Sequence, residues 1–98
     1  QMEVIMGLIV NGGNARSLAM QAIQEAKKGN FDQANQKLAE CKESLLEAHH
    51  SQTELLSKEA AGDKTEVSLL MVHAQDHLMN AITVKDLASE IIDLYRNK

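Results

Sequence analysis

The sequence predicts an all-α protein, an up-down-up bundle of three helices. Three observations carry that expectation. Ala, Leu, Gln, Glu and Lys are abundant among the 98 residues and Pro is absent, a composition rich in strong helix formers that lacks their worst breaker. Apolar residues recur at spacings of three and four along three long stretches. Two short breaks separate the stretches, and each contains a glycine, Gly29 or Gly62. The length suits a single domain, 1–98.

The first helix is expected from about Met2 to Lys28, with Val4, Ile5, Leu8, Ile9, Ala15, Leu18, Ala19, Ala22, Ile23 and Ala26 on its apolar side. Asn11-Gly12-Gly13-Asn14 falls in its middle. Two adjacent glycines cost a helix about 2 kcal/mol relative to alanine. The pair therefore marks a break, a kink, or a place where another element comes close. Arg16 follows it and is a candidate either for an anion or for a surface ion pair. Lys27 and Lys28 complement the helix dipole, Gly29 suits the left-handed cap, and Asn30 or Asp32 can cap the next helix.

The second helix is expected from about Phe31 to Lys58, with Phe31, Ala34, Leu38, Cys41, Leu45, Ala48, Leu55 and Leu56 in one stripe. Cys41 lies in that stripe and reads as a buried structural thiol. His49 and His50 are adjacent, so they diverge by roughly 100° and cannot both face one site. Gly62 breaks the chain again, and Asp63 or Thr65 can cap a third helix expected from about Glu66 to Arg96.

Several function classes are excluded or disfavoured. The net charge of −4 argues against nucleic acid as partner. A lone cysteine excludes an internal disulfide and suits a reducing compartment. No apolar run reaches the roughly 20 residues that span a membrane, and no basic-then-apolar leader is present, so the cytoplasm is the expected location. The chain begins at Gln1 rather than Met, which leaves room for natural residues ahead of it. With Phe31 and Tyr95 as the only aromatic rings, core side chains are small and self-association is favoured.

The third helix carries the chemistry. Within Val72-His73-Ala74-Gln75-Asp76-His77-Leu78-Met79-Asn80, His73, Asp76, His77 and Asn80 fall within roughly 100° of one another on a helical wheel. Leu69, Val84, Leu87 and Ile91 share that face, so ionisable groups sit in an apolar stripe where an unpaired charge is costly. Ala74, Leu78, Ala81, Ile82, Ala88 and Ile92 make a second apolar arc. One bundle buries one arc per helix, and the surplus suggests a second interface, most simply a homo-oligomer joined through the third helices. In a closed trimer, three copies of Asp76 would converge and repel unless a hard cation such as Mg²⁺ joined them. The bland alternative is a rim position with Asp76 paired to Lys85 or water. His73 and His77 have zinc-compatible spacing, but further ligands are lacking and Ala74 stands where a catalytic zinc motif carries Glu.

The string Ser68-Leu69-Leu70-Met71-Val72-His73-Ala74-Gln75-Asp76-His77-Leu78-Met79 closely resembles the lactose/cellobiose (chitobiose) class of enzyme IIA of the bacterial sugar phosphotransferase system. Met6-Gly7-Leu8-Ile9-Val10-Asn11-Gly12-Gly13-Asn14-Ala15-Arg16-Ser17-Leu18-Ala19 and Glu47-Ala48-His49 resemble it too. The resemblance implies a homotrimer of three-helix subunits. It implies that His73 takes a phosphoryl group from the histidine phosphocarrier protein and passes it to a cysteine of the cognate enzyme IIB. It further implies that Asp76 meets its two symmetry mates at a metal ion, Mg²⁺ being the expected cofactor, with His77 and Gln75 in supporting roles at the phosphorylated histidine. The contrasting expectation is a helical adaptor whose polar face only fixes oligomer register.

Overall fold

Small residues decide how the helices meet. The computed structural model describes residues 2–98 as α1 (Met2–Lys27), α2 (Phe31–Ala60) and α3 (Leu69–Arg96), joined by short connections. The buried side of α1 reads Ile5, Leu8, Gly12, Ala15, Ala19, Ala22, Ala26, so beyond Leu8 it offers almost no side-chain bulk and both neighbours can approach closely. Larger groups come from the partners: Leu38, Leu45 and Leu55 of α2, and Met71, Leu78 and Ile92 of α3. As a result α1 packs along both other helices, whereas α2 and α3 touch sparingly. The bundle is a rod of 50 × 20 × 17 Å.

The Gly12-Gly13 pair neither breaks nor caps α1, which runs through it. The reason for Gly12 is close approach. A Cβ built on it would stand 3.2 Å from the backbone carbon and oxygen of His77 and 3.3 Å from the amide nitrogen of Leu78. Backbone atoms cannot swing aside as side-chain ends can, so hydrogen is the only substituent the contact accommodates without a shift. Around Gly13 a Cβ would meet nothing within 4 Å.

The helix ends differ from the sequence expectation in three places. Gly29 (φ +83°) and Gly62 (φ +94°) take left-handed conformations after α1 and α2, as their positions suggested. Asn30 does occupy the cap position of α2, but its side chain makes no cap bond there; its amide donates to Glu25 Oε2 at 2.9 Å. The third helix begins at Leu69 rather than near Glu66. Neither Asp63 nor Thr65 caps it; the extended Ser68 does, its Oγ accepting from the Met71 amide at 3.1 Å. At the far end Arg96 ties α3 to the start of α2. It donates to Asp93 at 2.9 Å and Asn35 at 2.8 Å, and lies over the Phe31 ring.

Cys41 is buried in the core. Burial pushes its thiol up from the ordinary value, with Lys85, Lys42 and a backbone contact at Ala19 pulling weakly the other way. It is an inert structural thiol, as its place in the stripe suggested.

Gly12→Ala is expected to destabilise the protein by about 1 kcal/mol, since a backbone clash costs about 1–3 kcal/mol and the helix-propensity gain returns up to about 1. Gly7→Ala, with nothing within 4 Å of its Cβ, should stabilise by up to about 1 kcal/mol. Urea midpoints of the two variants measure the contrast, and equal gains at both positions would contradict the close approach.

Candidate functional site

The face of α3 that carries the polar residues is the face the single chain leaves uncovered. Met71, Ala74, Leu78, Ala81, Ala88 and Ile92 are the residues buried against α1 and α2. His73, Asp76 and Asn80 are exposed, and so are Leu69 (87%), Leu87 (57%) and Leu94 (72%). Of the two apolar arcs expected on this helix, the one around Ala74 and Leu78 builds the bundle and the one around His73 is the surplus. The burial cost expected for these ionisable groups does not arise within one chain: no polar or charged residue is buried among the described residues.

The seating of Gly12 against the turn at His77 places the histidines. His77 is half-buried beside α1, and His73, one turn earlier, is exposed. Their Nε2 atoms approach to 3.0 Å, with ring centroids 4.4 Å apart and the rings near perpendicular at 81°. This contact needs one N–H and one lone pair. When both rings are neutral, one facing nitrogen donates and the other accepts, and the tautomers set which. Nδ1 of each ring lies nearer its own backbone, so Nε2 is the outer nitrogen of each.

Asp76 lies on the same face. Its Oδ1 accepts from the Asn80 amide at 3.0 Å. Lys85, weighed from the sequence as its partner, instead pairs with Asp86 at 3.1 Å. A cavity of about 400 Å³ runs beside these groups, lined by Arg16, Asp76, His77, Asn80 and Val84. His73 does not line it and is linked to it through the contact with His77. Among the described residues no three His, Cys, Asp or Glu side chains converge as a metal site within one chain, which leaves a zinc centre on His73 and His77 without support.

Gln75 is not brought to the histidines. It is turned toward α2, where its Oε1 accepts from the Gln52 amide at 2.7 Å and its own amide reaches the Met71 sulfur at 3.7 Å. Its spacing of two from His73 already implied an opposite side of the helix. The adjacent pair in α2 separates as expected: His49 lines an apolar groove between α2 and α3 with Leu45, Leu46, Ile82, Lys42 and Lys85, and His50 is solvent-exposed. Sequence reasoning gave Arg16 no fixed place. The signal that could have found it is its spacing of four from Gly12, which puts both on neighbouring turns of one side of α1.

The fold and site define a three-helix bundle that leaves His73, in contact with His77, exposed beside Asp76 and Asn80 on one face of α3. A family model described as the phosphotransferase system lactose/cellobiose-specific IIA subunit matches residues 3–96, and the chain belongs to that family. The lichenan-specific phosphotransferase enzyme IIA component of Bacillus subtilis is 59% identical over 93 residues, 95% of this chain and 84% of that protein. The N,N'-diacetylchitobiose-specific component of Escherichia coli is 46% identical over 93 residues, covering 95% and 80%. Among solved structures, the cellobiose-specific enzyme IIA of Bacillus anthracis superposes with a TM-score of 0.94 at 57% identity, over 97% of this chain and 87% of that one. The chitobiose IIA solved in complex with HPr from Escherichia coli matches with a TM-score of 0.84 at 44% identity, over 98% and 93%. The family is a phosphotransferase component of sugar transport. No helix among the described residues is long and apolar enough to cross a membrane.

The histidine contact makes a specific spectroscopic prediction. At slightly alkaline pH, ¹⁵N spectra of the imidazoles should show one of the His73 and His77 Nε2 atoms protonated and the other bare. His77→Ala should release His73 into fast tautomer exchange. Two equivalent Nε2 signals in the unaltered protein would contradict the contact.

Proposed function

We propose that this chain is a phosphocarrier for disaccharides of the lactose, cellobiose and chitobiose type, with His73 as the residue phosphorylated. The observation that carries the reading is the exposed His73 ring with its Nε2 end 3.0 Å from His77. A phosphoryl carrier needs a nucleophile that two different proteins can reach in turn. An imidazole at the surface of a helix, flanked by apolar side chains, offers that. The relative from Escherichia coli solved with HPr supports the histidine phosphocarrier protein as donor, and family membership supports a cognate enzyme IIB as acceptor.

The chemistry follows from the geometry. With His77 donating its Nε2–H, the His73 Nε2 keeps its lone pair and its ring proton stays on Nδ1. The His77 N–H swings off as the donor arrives, and the freed lone pair attacks phosphorus of the incoming phosphohistidine. The new N–P bond forms as the donor's N–P bond breaks and its electron pair returns to the donor ring. Phosphoryl transfer of this loose kind depends on alignment and charge stabilisation more than on proton transfer. The His77 N–H is then placed to donate to a phosphoryl oxygen. In the second step a cysteine sulfur of enzyme IIB attacks phosphorus, the His73 N–P bond breaks, and the electron pair returns to Nε2.

The uncovered face of α3 suits assembly as a homotrimer. Leu69, Leu87 and Leu94 of α3 and Met2, Met6 and Met20 of α1 are all exposed, apolar surface that a single chain leaves wet. Threefold closure around α3 brings three Asp76 carboxylates together. Each has one oxygen on Asn80 and the other available, a hard-oxygen donor set that fits Mg²⁺. The ion when bound cancels the repulsion of the three acids. One chain offers only one carboxylate at this place, so the site is a property of the assembly.

Incubated with phosphoenolpyruvate and the general phosphotransferase proteins, the chain should gain one phosphoryl group, which tandem mass spectrometry places on His73. His73→Ala should keep its helicity and take up none. Phosphate retained by that variant would move the active residue elsewhere, and no uptake by the unaltered chain would favour a purely structural adaptor. Asp76→Leu is expected to leave the trimer intact, because apolar packing carries assembly. Sedimentation showing a monomer for that variant would reverse the assignment.

A further inference from the structure

We propose that Arg16 is the cation that binds the phosphoryl group carried by His73; the proposal rests on the phosphocarrier reading above. The chain has two arginines. Arg96 is committed, held by Asp93 and Asn35 over the Phe31 ring. Arg16 is exposed and forms no ion pair among the described residues. It lines the cavity that also holds His77, Asn80, Asp76 and Val84, and no other cationic side chain lines that cavity.

Its place follows from the glycine contact. Gly12 rests on the backbone of His77 and Leu78. Arg16 is four residues on, about 6 Å further along α1. Helical side chains lean back toward the N-terminus, so its guanidinium returns over the turn from His77 to Asn80. His77 Nε2 is in turn 3.0 Å from His73 Nε2. A phosphoryl group on the His73 nitrogen lies next to His77, which lines the cavity with Arg16.

The electrostatics require such a group. The chain carries a net charge of −4, and the acid nearest the acceptor histidine in sequence, Asp76, shares the cavity. A dianion placed there without a counter-charge is repelled. A guanidinium meets two phosphoryl oxygens at once with two parallel N–H donors, which an ammonium cannot do. His77 supplies a third donor. Arg16 makes and breaks no bond; it binds the group in both transfers and holds it in line.

The test uses the full chain. Arginine side-chain ¹⁵N–¹H spectra are recorded before and after phosphorylation. The Arg16 Nε–H signal should shift, while that of Arg96 serves as an unmoved control. Arg16→Gln should still be labelled at His73. Its kcat/KM for uptake from the phosphorylated donor should fall roughly tenfold or more, a smaller loss than for removing a fully buried oxyanion donor. The ³¹P titration midpoint of its phosphohistidine should move to higher pH, because the nearby cation favours the dianion. Arg16→Lys should recover part of the rate. An unmoved Arg16 signal, or a glutamine variant with unchanged rate and midpoint, overturns the proposal while leaving the carrier reading in place. Should the glutamine variant fail to fold or assemble, the spectra of the unaltered protein decide alone. Absence of label on His73 in the unaltered chain overturns both.

Discussion

Gly12 and the turn of α3 at His77 meet backbone to side-chain-free backbone, and the geometry of the site descends from that meeting. The contact sets how deeply α3 sinks toward α1. That depth half-buries His77 and leaves His73, one turn earlier, exposed. The two imidazoles then meet edge-on, their Nε2 atoms 3.0 Å apart. One turn later on α1, Arg16 is brought to the cavity beside Asp76 and Asn80. A methyl group at position 12 pushes against atoms that belong to a helix backbone, so it moves α3 as a body. The site is sensitive to a residue that carries no chemistry.

The same economy runs through the bundle. The alanine stripe of α1 makes it the common partner of α2 and α3, which touch each other little. That arrangement leaves α3 with one side committed and one side free. The free side is apolar enough to favour a partner and polar enough to hold His73, Asp76 and Asn80. In the proposed function, assembly and phosphoryl transfer draw on adjacent strips of one helix. His73 is held by a rigid helix rather than by a loop, yet remains exposed.

Much of the fold was legible in the sequence because it depends on local rules. The 3.6-residue periodicity, Gly29 and Gly62 with their left-handed turns, and the absence of Pro specify three helices and their order. Helix ends were less legible, because several residues can cap and tertiary position selects among them; Ser68 was chosen over Asp63 and Thr65, and Asn30 turned to Glu25. The site divided in the same way. The shared face of His73, Asp76, His77 and Asn80 is a property of spacing. Which apolar arc would face the bundle is not, since both arcs have similar composition. The reason for Gly12 and the place of Arg16 needed the packing of two helices, which no single-helix pattern contains.

The central claim is that the His73 Nε2 atom, poised against His77, is the phosphoryl acceptor. The most direct measurement is the ¹H–¹⁵N–³¹P correlation spectrum of the phosphorylated, ¹⁵N-labelled chain, which identifies the nitrogen bonded to phosphorus. The account predicts phosphorus on Nε2 of His73, with the His77 Nε2–H signal shifted by its new phosphoryl oxygen partner. Phosphorus on Nδ1 of His73, or on any of the other three histidines, would contradict it.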